Sequence, residues 1–432
     1  MPQERFSRRG RRHQTEHIDG AAPAAALYAP MAALIVCFVG AGLALPEGTN
    51  QYGRYVAFWN SPWPTGCTSP PESLPDWKRW RIQINDNASF LGEKIATIYT
   101  AGRFPMYKGI GPGGACADGD WNCTNATAVY GGLPQLANLT HHLAVLQQDI
   151  EKDIPDPDAS GVYNIDWEAW KPAFDANRYN EYWIYVNRSE ALVKARHPGL
   201  SPAQVTLQAE REFNEASRAF WTESLRLCKK LRPKAQWGWY NYPVDAWPAT
   251  FSELSWLYDE VTALFPSIYL FKHNATENAA YVDKVLNQTR QVRDAARRRT
   301  GRLLPIYSFA WLDYDLPAPL GYLSAADLHT EVARGATKWG LTGVILWGAS
   351  ADGHNTSRCQ AGPASFTSFV DNIAGPVVLA AAQDADACAA KRCSGHGRCW
   401  QGDSQAAGGA CDCDEGWSGA SCATSATAVA DE

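Results

Sequence analysis

Basic clusters are scarce in this 432-residue chain, and its formal net charge is −6. Apart from Arg5, Arg8, Arg9, Arg11 and Arg12 near the N-terminus and one helix face, Lys and Arg form no run. Nucleic acid is therefore not an expected partner, because phosphate binding needs a concentrated cationic surface. The same balance leaves an acidic glycan open, since a local basic cleft can oppose the overall sign. Histidine at ligand spacing is missing from the cysteine-rich C-terminus, which sets aside a zinc site there. The last residues, Ala-Thr-Ala-Val-Ala-Asp-Glu, form no apolar tail, so a lipid-anchor signal is not expected. No metal and no cofactor are expected.

An apolar content of 46% supports a well-buried core, and the length suits one large domain with small additions. Residues 1–48 read as a targeting segment in which the arginines precede an uncharged stretch from Ala21 to Leu45. A cleaved signal peptide and a signal anchor that spans the membrane both fit it. Either route carries the rest of the chain into the secretory pathway, to the exterior, a lysosome or the lumenal side of a membrane. Eight Asn-x-Ser/Thr acceptors agree with that route: Asn87, Asn122, Asn125, Asn138, Asn187, Asn274, Asn287 and Asn355.

Twelve cysteines fit an oxidising compartment. Six of them, from Cys388 to Cys422, follow the spacing C-x4-C-x5-C-x11-C-x-C-x8-C with glycines and Trp417 between. Spacing alone leaves fifteen connectivities. The pattern resembles an epidermal-growth-factor-type module, which implies Cys388–Cys399, Cys393–Cys411 and Cys413–Cys422. Cys116 and Cys123 share a Gly/Asp-rich loop and are expected to pair locally. Cys37 lies in the targeting segment, and Cys228 reads as a buried thiol on a helix.

The most informative segment is Gly161-Val-Tyr-Asn-Ile-Asp-Trp-Glu-Ala-Trp-Lys-Pro172. Val162 to Ile165 reads as a short buried strand, and Pro172 prevents a long continuation. Residues two apart on a strand share a side, so Asp166 and Glu168 present paired carboxylates while Trp167 turns into packing. Two carboxylates this close cannot both ionise freely, so one is expected to titrate high and to serve as a proton donor. Glycosidic cleavage requires such a donor. An Asp and a Glu at a strand end also serve commonly as solvated or capping residues, so the pair needs its context.

That context is a series of short apolar runs alternating with helix-period segments. Strand-like pieces are residues 55–59, 94–99, 162–165, 236–240, 267–270, 304–309 and 344–347. One long amphipathic helix carries Val205, Ala209, Phe213, Ala216, Phe220, Leu227 and Leu231, and residues 280–299 and 327–339 read as two more. Repeated βα units imply a parallel sheet, and this many favour closure into a barrel whose site lies at the C-terminal strand ends. Those ends are Trp59 with Asn60, Tyr99, Asp166 with Glu168, Tyr240, Tyr269 and Trp347: one acidic pair ringed by aromatics.

The Asp166 segment resembles the catalytic segment of animal and venom hyaluronidases. Other stretches match that family in the same order: Tyr55 to Asn60, Gly131-Gly-Leu-Pro-Gln135, Leu231-Arg-Pro233 with Trp237-Gly-Trp-Tyr240, Thr262-Ala-Leu-Phe-Pro-Ser-Ile-Tyr269, and Gly343-Val-Ile-Leu-Trp347 followed by Cys359. The resemblance implies a distorted α/β barrel of about seven strands over residues 49–383, the cysteine-rich module over 384–423 and a polar tail over 424–432. It implies a bridge between Cys67 and Cys359, and a monomer acting on a glycosaminoglycan.

The family's mechanism is substrate-assisted. Carried over, Glu168 is the acid and then the base, Asp166 and Tyr269 hold the substrate's acetamido group, and Tyr240 stabilises the distorted sugar. Trp347 walls the acetyl methyl, and Tyr107, Asn60 and Lys171 border the cleft. Lys171 departs from the family's Arg, so a planar clamp becomes a point charge. Tyr242-Pro-Val-Asp-Ala displaces an acid to Asp245 and lacks a cysteine, and Gly348 to Asp352 lacks a second Trp. The resemblance implies an endo-hydrolase of hyaluronan. Chondroitin cleavage and glycan binding by an inactive barrel are the alternatives, and the module is expected to be dispensable for chemistry.

Overall fold

The computed structural model describes residues 53–60, 75–99, 101–110, 125–243, 253–314, 322–347, 366–401 and 410–425. Cys37, Cys67, Cys116, Cys123, Cys359, Asn122, Asn355, Asp245 and the stretch 21–45 lie outside the described residues. The strands before the C-terminal module are β1 (Val56–Trp59), β2 (Ile82–Gln83), β3 (Ile95–Ile98), β4 (Met106–Lys108), β5 (Thr127–Val129), β6 (Val162–Ile165), β7 (Gln236–Trp239), β8 (Tyr307–Trp311) and β9 (Gly343–Trp347).

Two parallel sheets, β2-β1-β9-β8 and β3-β6-β7, bend into one ring. Between β7 and β8 the chain from Leu264 to Ser267 makes isolated bridges: Tyr240 to Phe265, Leu264 to Ile306 and Ser267 to Phe309 in parallel, and Tyr242 to Phe265 antiparallel. A full strand was expected at 267–270. Pro266 lacks the N–H a ladder needs, and the pairing breaks around it. The ring closes between β2 and β3 through one side chain, because Asn85 accepts from Ile95 N at 3.2 Å and donates to Ile95 O at 2.8 Å. The two-residue β2 and the antiparallel β4–β5 hairpin were not anticipated; both are too short for a periodic signal.

The period of two sorts the side chains. Val56, Phe58, Ile95, Val162, Tyr307, Phe309, Ile345 and Trp347 form one cluster with Ala263 and Phe265, and this set fills the barrel. Their chain neighbours Ala57, Trp59, Ala96, Ile98, Tyr163, Ile165, Val344 and Leu346 belong to the other cluster, with the surrounding helices. The filling is tight: a Cβ on Gly238 of β7 would collide with Ala263 O and the Phe265 ring.

The longest helix, Pro202–Leu231, starts where the sequence provides a capping box. Ser201 accepts from Gln204 N while the Gln204 side chain accepts from Ser201 N, and Pro202 sits where a missing N–H costs nothing. Of the expected stripe, Val205, Ala209, Phe213 and Phe220 are buried, Ala216, Leu227 and Leu231 are half-buried, and Leu225 and Cys228 carry the buried face towards the C-terminal end. Cys228 is a free buried thiol. Ala275–Thr300 is the second long helix, capped by Asn274 and stopped by Gly301 in the left-handed region.

The C-terminal module carries the bridges Cys388–Cys399, Cys393–Cys411 and Cys413–Cys422. Cys388 belongs to the helix Gly375–Arg392, so a boundary at 384 falls inside a continuous helix. Buried arginines of the barrel reach into the module. Asp412 accepts from Arg290 and Arg293 at 2.9 Å each, and Asp414 accepts from Arg54 at 2.6 Å. The Arg290 guanidinium also stacks 3.8 Å from the Trp400 ring centroid. A cut after Gln383 would strand these cations, so removing the module, expected to be dispensable for chemistry, bears on the stability of the barrel.

Of the six described glycan acceptors, Asn87, Asn125, Asn138 and Asn274 are exposed. Asn187 and Asn287 are half-buried within helices.

Candidate active site

Asp166 and Glu168 follow β6 directly. The Asp166 N–H donates to Ile98 O at 3.1 Å, extending the β3–β6 ladder by one step and fixing the carboxylate at the strand end. Asp166 is buried and Glu168 is exposed. Trp167 turns outward, as the alternation requires, and stacks on Phe104 with ring centroids 4.7 Å apart.

Burial pushes the Asp166 carboxyl well above the ordinary range, and the charge of Glu168 adds to the effect. The Lys171 ammonium and a hydrogen bond from the Tyr99 hydroxyl oppose it. One carboxyl of the pair was expected to titrate high and to serve as the proton donor, a role assigned to Glu168; the carboxyl that the fold raises is Asp166, because it is removed from water.

Tyrosines from the neighbouring strand ends complete the ring. Tyr240 follows β7, its N–H donating to Ile165 O at 3.0 Å. The Tyr269 and Ser267 hydroxyls donate to the Tyr240 oxygen. Burial raises the pKa of both Tyr240 and Tyr269; the charges of Glu168 and Asp166 also act on Tyr240, so it stands within their field. The Tyr269 ring packs against Trp311 at 5.2 Å.

On the other side Phe90, Tyr99 and Trp347 form an aromatic wall, with Phe90 and Tyr99 stacked at 6.0 Å and Trp347 edge-on to both. Tyr99 is 38% exposed although its hydroxyl reaches inward to Asp166. Aromatic faces of this kind suit sugar rings. Sequence reasoning placed Tyr99 at a strand end and assigned it no task; Phe90 and Trp311 it missed.

Lys171 is buried, its ammonium 5.0 Å from the Tyr182 ring centroid, and it acts on Asp166 through charge. Tyr182 and Tyr242 both feel Glu168, and the buried Tyr242 hydroxyl has no hydrogen-bond partner among the described residues. Two sequence-predicted residues make packing contacts of their own. Asn60 is 1% exposed, donates to Phe90 O at 2.8 Å and accepts from Thr97 Oγ1 at 2.6 Å, so it braces the aromatic wall from behind. Tyr107 belongs to β4, where it packs against Tyr185 at 5.5 Å and over Gly132. Among the described residues no His/Cys/Asp/Glu group could hold a metal ion.

The profile of the family described as Hyaluronidase matches residues 48–247 and 244–408. Human hyaluronidase-1 is 32% identical over 339 residues, covering 74% of this chain and 72% of that protein. A chondroitin hydrolase of Caenorhabditis elegans is 29% identical over 397 residues, covering 86% of this chain and 81% of its own. Among solved structures, bee venom hyaluronidase in complex with a hyaluronic acid tetramer superposes with a TM-score of 0.64 at 29% identity, covering 75% of this chain and 98% of that one. With the barrel, the carboxylate pair at its β6 end and these matches together, the chain belongs to the hyaluronidase family of glycoside hydrolases.

Proposed function

We propose that this chain is an endo-acting glycosidase that hydrolyses the β-1,4 N-acetylhexosaminide bonds of hyaluronan with retention at the anomeric carbon. The observation that carries the reading is the division of the Asp166–Glu168 pair, one carboxyl buried and held by Tyr99, the other open to the cleft. Glu168 protonates the glycosidic oxygen as the substrate's acetamido oxygen attacks the anomeric carbon and the leaving sugar departs. Water, deprotonated by Glu168, then opens the cyclised intermediate. Asp166 and Tyr269 orient the acetamido group, and Tyr240 supports the distorted ring, so the reacting atoms meet without a search. Trp347 bounds the acetyl methyl, and Lys171 supplies a positive charge beside the acid pair. Asn60, fully buried, supports this architecture, and Tyr107 borders the cleft.

The test is hyaluronan stripped of its acetyl groups. It should resist cleavage with its backbone linkage intact, and a thiazoline analogue of the cyclised intermediate should inhibit. A glycosyl ester trapped on Asp166 or Glu168 would replace this mechanism with a carboxylate nucleophile. Chondroitin is the second reading, suggested by the 29% identity over 397 residues to the nematode chondroitin hydrolase. Sizing the products from each polymer separates the two.

The compartment we propose is the secretory pathway, with an extracellular or lysosomal destination and the targeting information in residues 21–45. The described residues contain no helix long and apolar enough to cross a membrane. We further propose that the protein acts as a monomer, that Cys67 pairs with Cys359 and Cys116 with Cys123, and that glycans occupy the exposed acceptors Asn87, Asn125, Asn138 and Asn274. Peptide mapping without reduction tests the bridges.

A further inference from the structure

At the N-terminal ends of the barrel strands, away from the carboxylate pair, the barrel and the terminal module enclose a cavity of about 680 Å³. Gln236, which opens β7, and Pro305 and Thr342, which precede β8 and β9, form its floor, and Asp412 to Trp417 form its module side. Its cationic lining is Arg293, Arg297, Arg302 and Arg398.

The acids facing them are mostly spent. Asp412 is held by Arg290 and Arg293, and Asp414 by Arg54, leaving Glu415 on the rim. Arg297 and Arg302 have no carboxylate partner among the described residues, while Arg398 stands in the field of Asp414 and Asp412. Arg302 donates to the carbonyls of Asp259 and Val261, and Arg398 donates only through Nε, to Arg54 O at 3.0 Å. The Arg297 side chain is exposed and makes no hydrogen bond or ion pair there. Arg297 and Arg302 are exposed, so they remain available to an incoming anion, and guanidinium forks suit carboxylate and sulfate oxygens.

Two neighbours narrow the ligand. Gln236 lines the floor with its Oε1 shut off from solvent and without a hydrogen-bond partner among the described residues. Trp417 lines the same cavity with its ring backed by His396, centroids 3.4 Å apart, and offers a flat apolar face. Cations beside an aromatic plate together fit an acidic sugar better than a bare inorganic anion. We infer that this cavity binds a carboxylate- or sulfate-bearing segment of an acidic polysaccharide, as a second site remote from the cleavage cleft. Its occupant adds affinity for long polymers and takes no part in the chemistry.

The experiment compares the full secreted chain with Arg297→Glu, Arg398→Gln and Glu415→Gln. Retention on immobilised chondroitin sulfate and on immobilised hyaluronan at low salt separates sulfate from carboxylate as the recognised group. Initial rates on long hyaluronan and on a hyaluronan hexasaccharide separate the second site from the cleft. Arg297→Glu, on an exposed position, should weaken polymer retention about ten-fold, the scale of one charge-assisted contact. It should raise KM on long polymer and leave kcat/KM on the hexasaccharide within about two-fold, as expected when only the second site is lost. Arg398→Gln should act in the same direction, and Glu415→Gln should strengthen retention, a gain that misfolding cannot imitate. Unchanged retention in all three variants overturns the proposal, as does an equal loss on polymer and hexasaccharide. Full competition by inorganic sulfate at matched charge overturns the polysaccharide assignment.

Discussion

The Tyr99 hydroxyl donates to the Asp166 carboxylate, tying the end of β3 to the end of β6 beside the point where the Asp166 N–H meets Ile98 O. One strand therefore holds its neighbour's acid by backbone and side chain together. The hydrogen bond favours the ionised carboxylate, against the burial that disfavours it.

Tyr99→Phe should move the alkaline limb of kcat/KM to higher pH. The Tyr99 hydrogen bond lowers the Asp166 pKa, so its loss raises that pKa and the pair keeps its proton further up the scale. Lys171→Met should act in the same direction, because the ammonium also favours the ionised form, while Lys171→Arg retains the charge. A pH–rate profile checks the sign; a limb that moves to lower pH would remove Asp166 from control of the profile.

Glu168→Gln should fold with an unchanged melting temperature, since the side chain is exposed and has no structural role among the described contacts. Turnover should fall by about 10²–10⁴-fold or more, because an amide cannot deliver the proton to the leaving oxygen. Activity within a few-fold of wild type would assign the acid elsewhere.

His142 should make the fold sensitive to acid. It is fully buried, accepts from Arg103 N at 2.8 Å through Nδ1, and lies 2.8 Å from Ser224 Oγ through Nε2. Burial lowers its pKa from 6.5 to about 4. A depressed histidine stabilises the fold above its unfolded pKa, and that stability is lost as pH falls from 6.5 towards 4. The loss is on the order of 3 kcal/mol when complete. Melting temperatures measured across that window should fall less steeply for His142→Gln than for wild type, from a lower starting point. Parallel slopes would show that other groups carry the acid sensitivity.

Truncation after Gln383 should destabilise the barrel as well as remove the module. Arg54, Arg290 and Arg293 are each 4% exposed or less and would lose Asp412 and Asp414. Leaving one charge of a buried pair unmatched costs about 3–5 kcal/mol. Asp412→Ala in the full chain should reproduce part of the loss with all three disulfides present, and thermal melting of both proteins checks this. A truncated barrel as stable as the full chain would show that water compensates those arginines.

Much of the site is legible because it obeys local rules. A period of two puts Asp166 and Glu168 on one side of β6 and sends Trp167 into packing. The stripe from Val205 to Cys228 defines a helix face, and Ser201 with Gln204 marks its start. The regular spacing of apolar runs implies parallel βα units, and the barrel follows from their number.

What the chain order could not state is which side chains meet across it. The burial of Asp166 and the exposure of Glu168 depend on the walls that β3, β7 and the Leu264–Ser267 track build around them. Asn85 closing the ring, Tyr99 reaching Asp166, and Asp412 gripping two arginines more than a hundred positions away leave no periodic trace. Periodicity is set by the backbone geometry of one element, so sequence alone determined the longer helices, most barrel strands and the paired acids, but not the short β2, the β4–β5 hairpin or the broken track at Pro266. Desolvation and charge pairing are set by neighbours distant in the chain, and only the tertiary structure decided which carboxyl is raised, how the module is fastened, and where unpaired arginines gather.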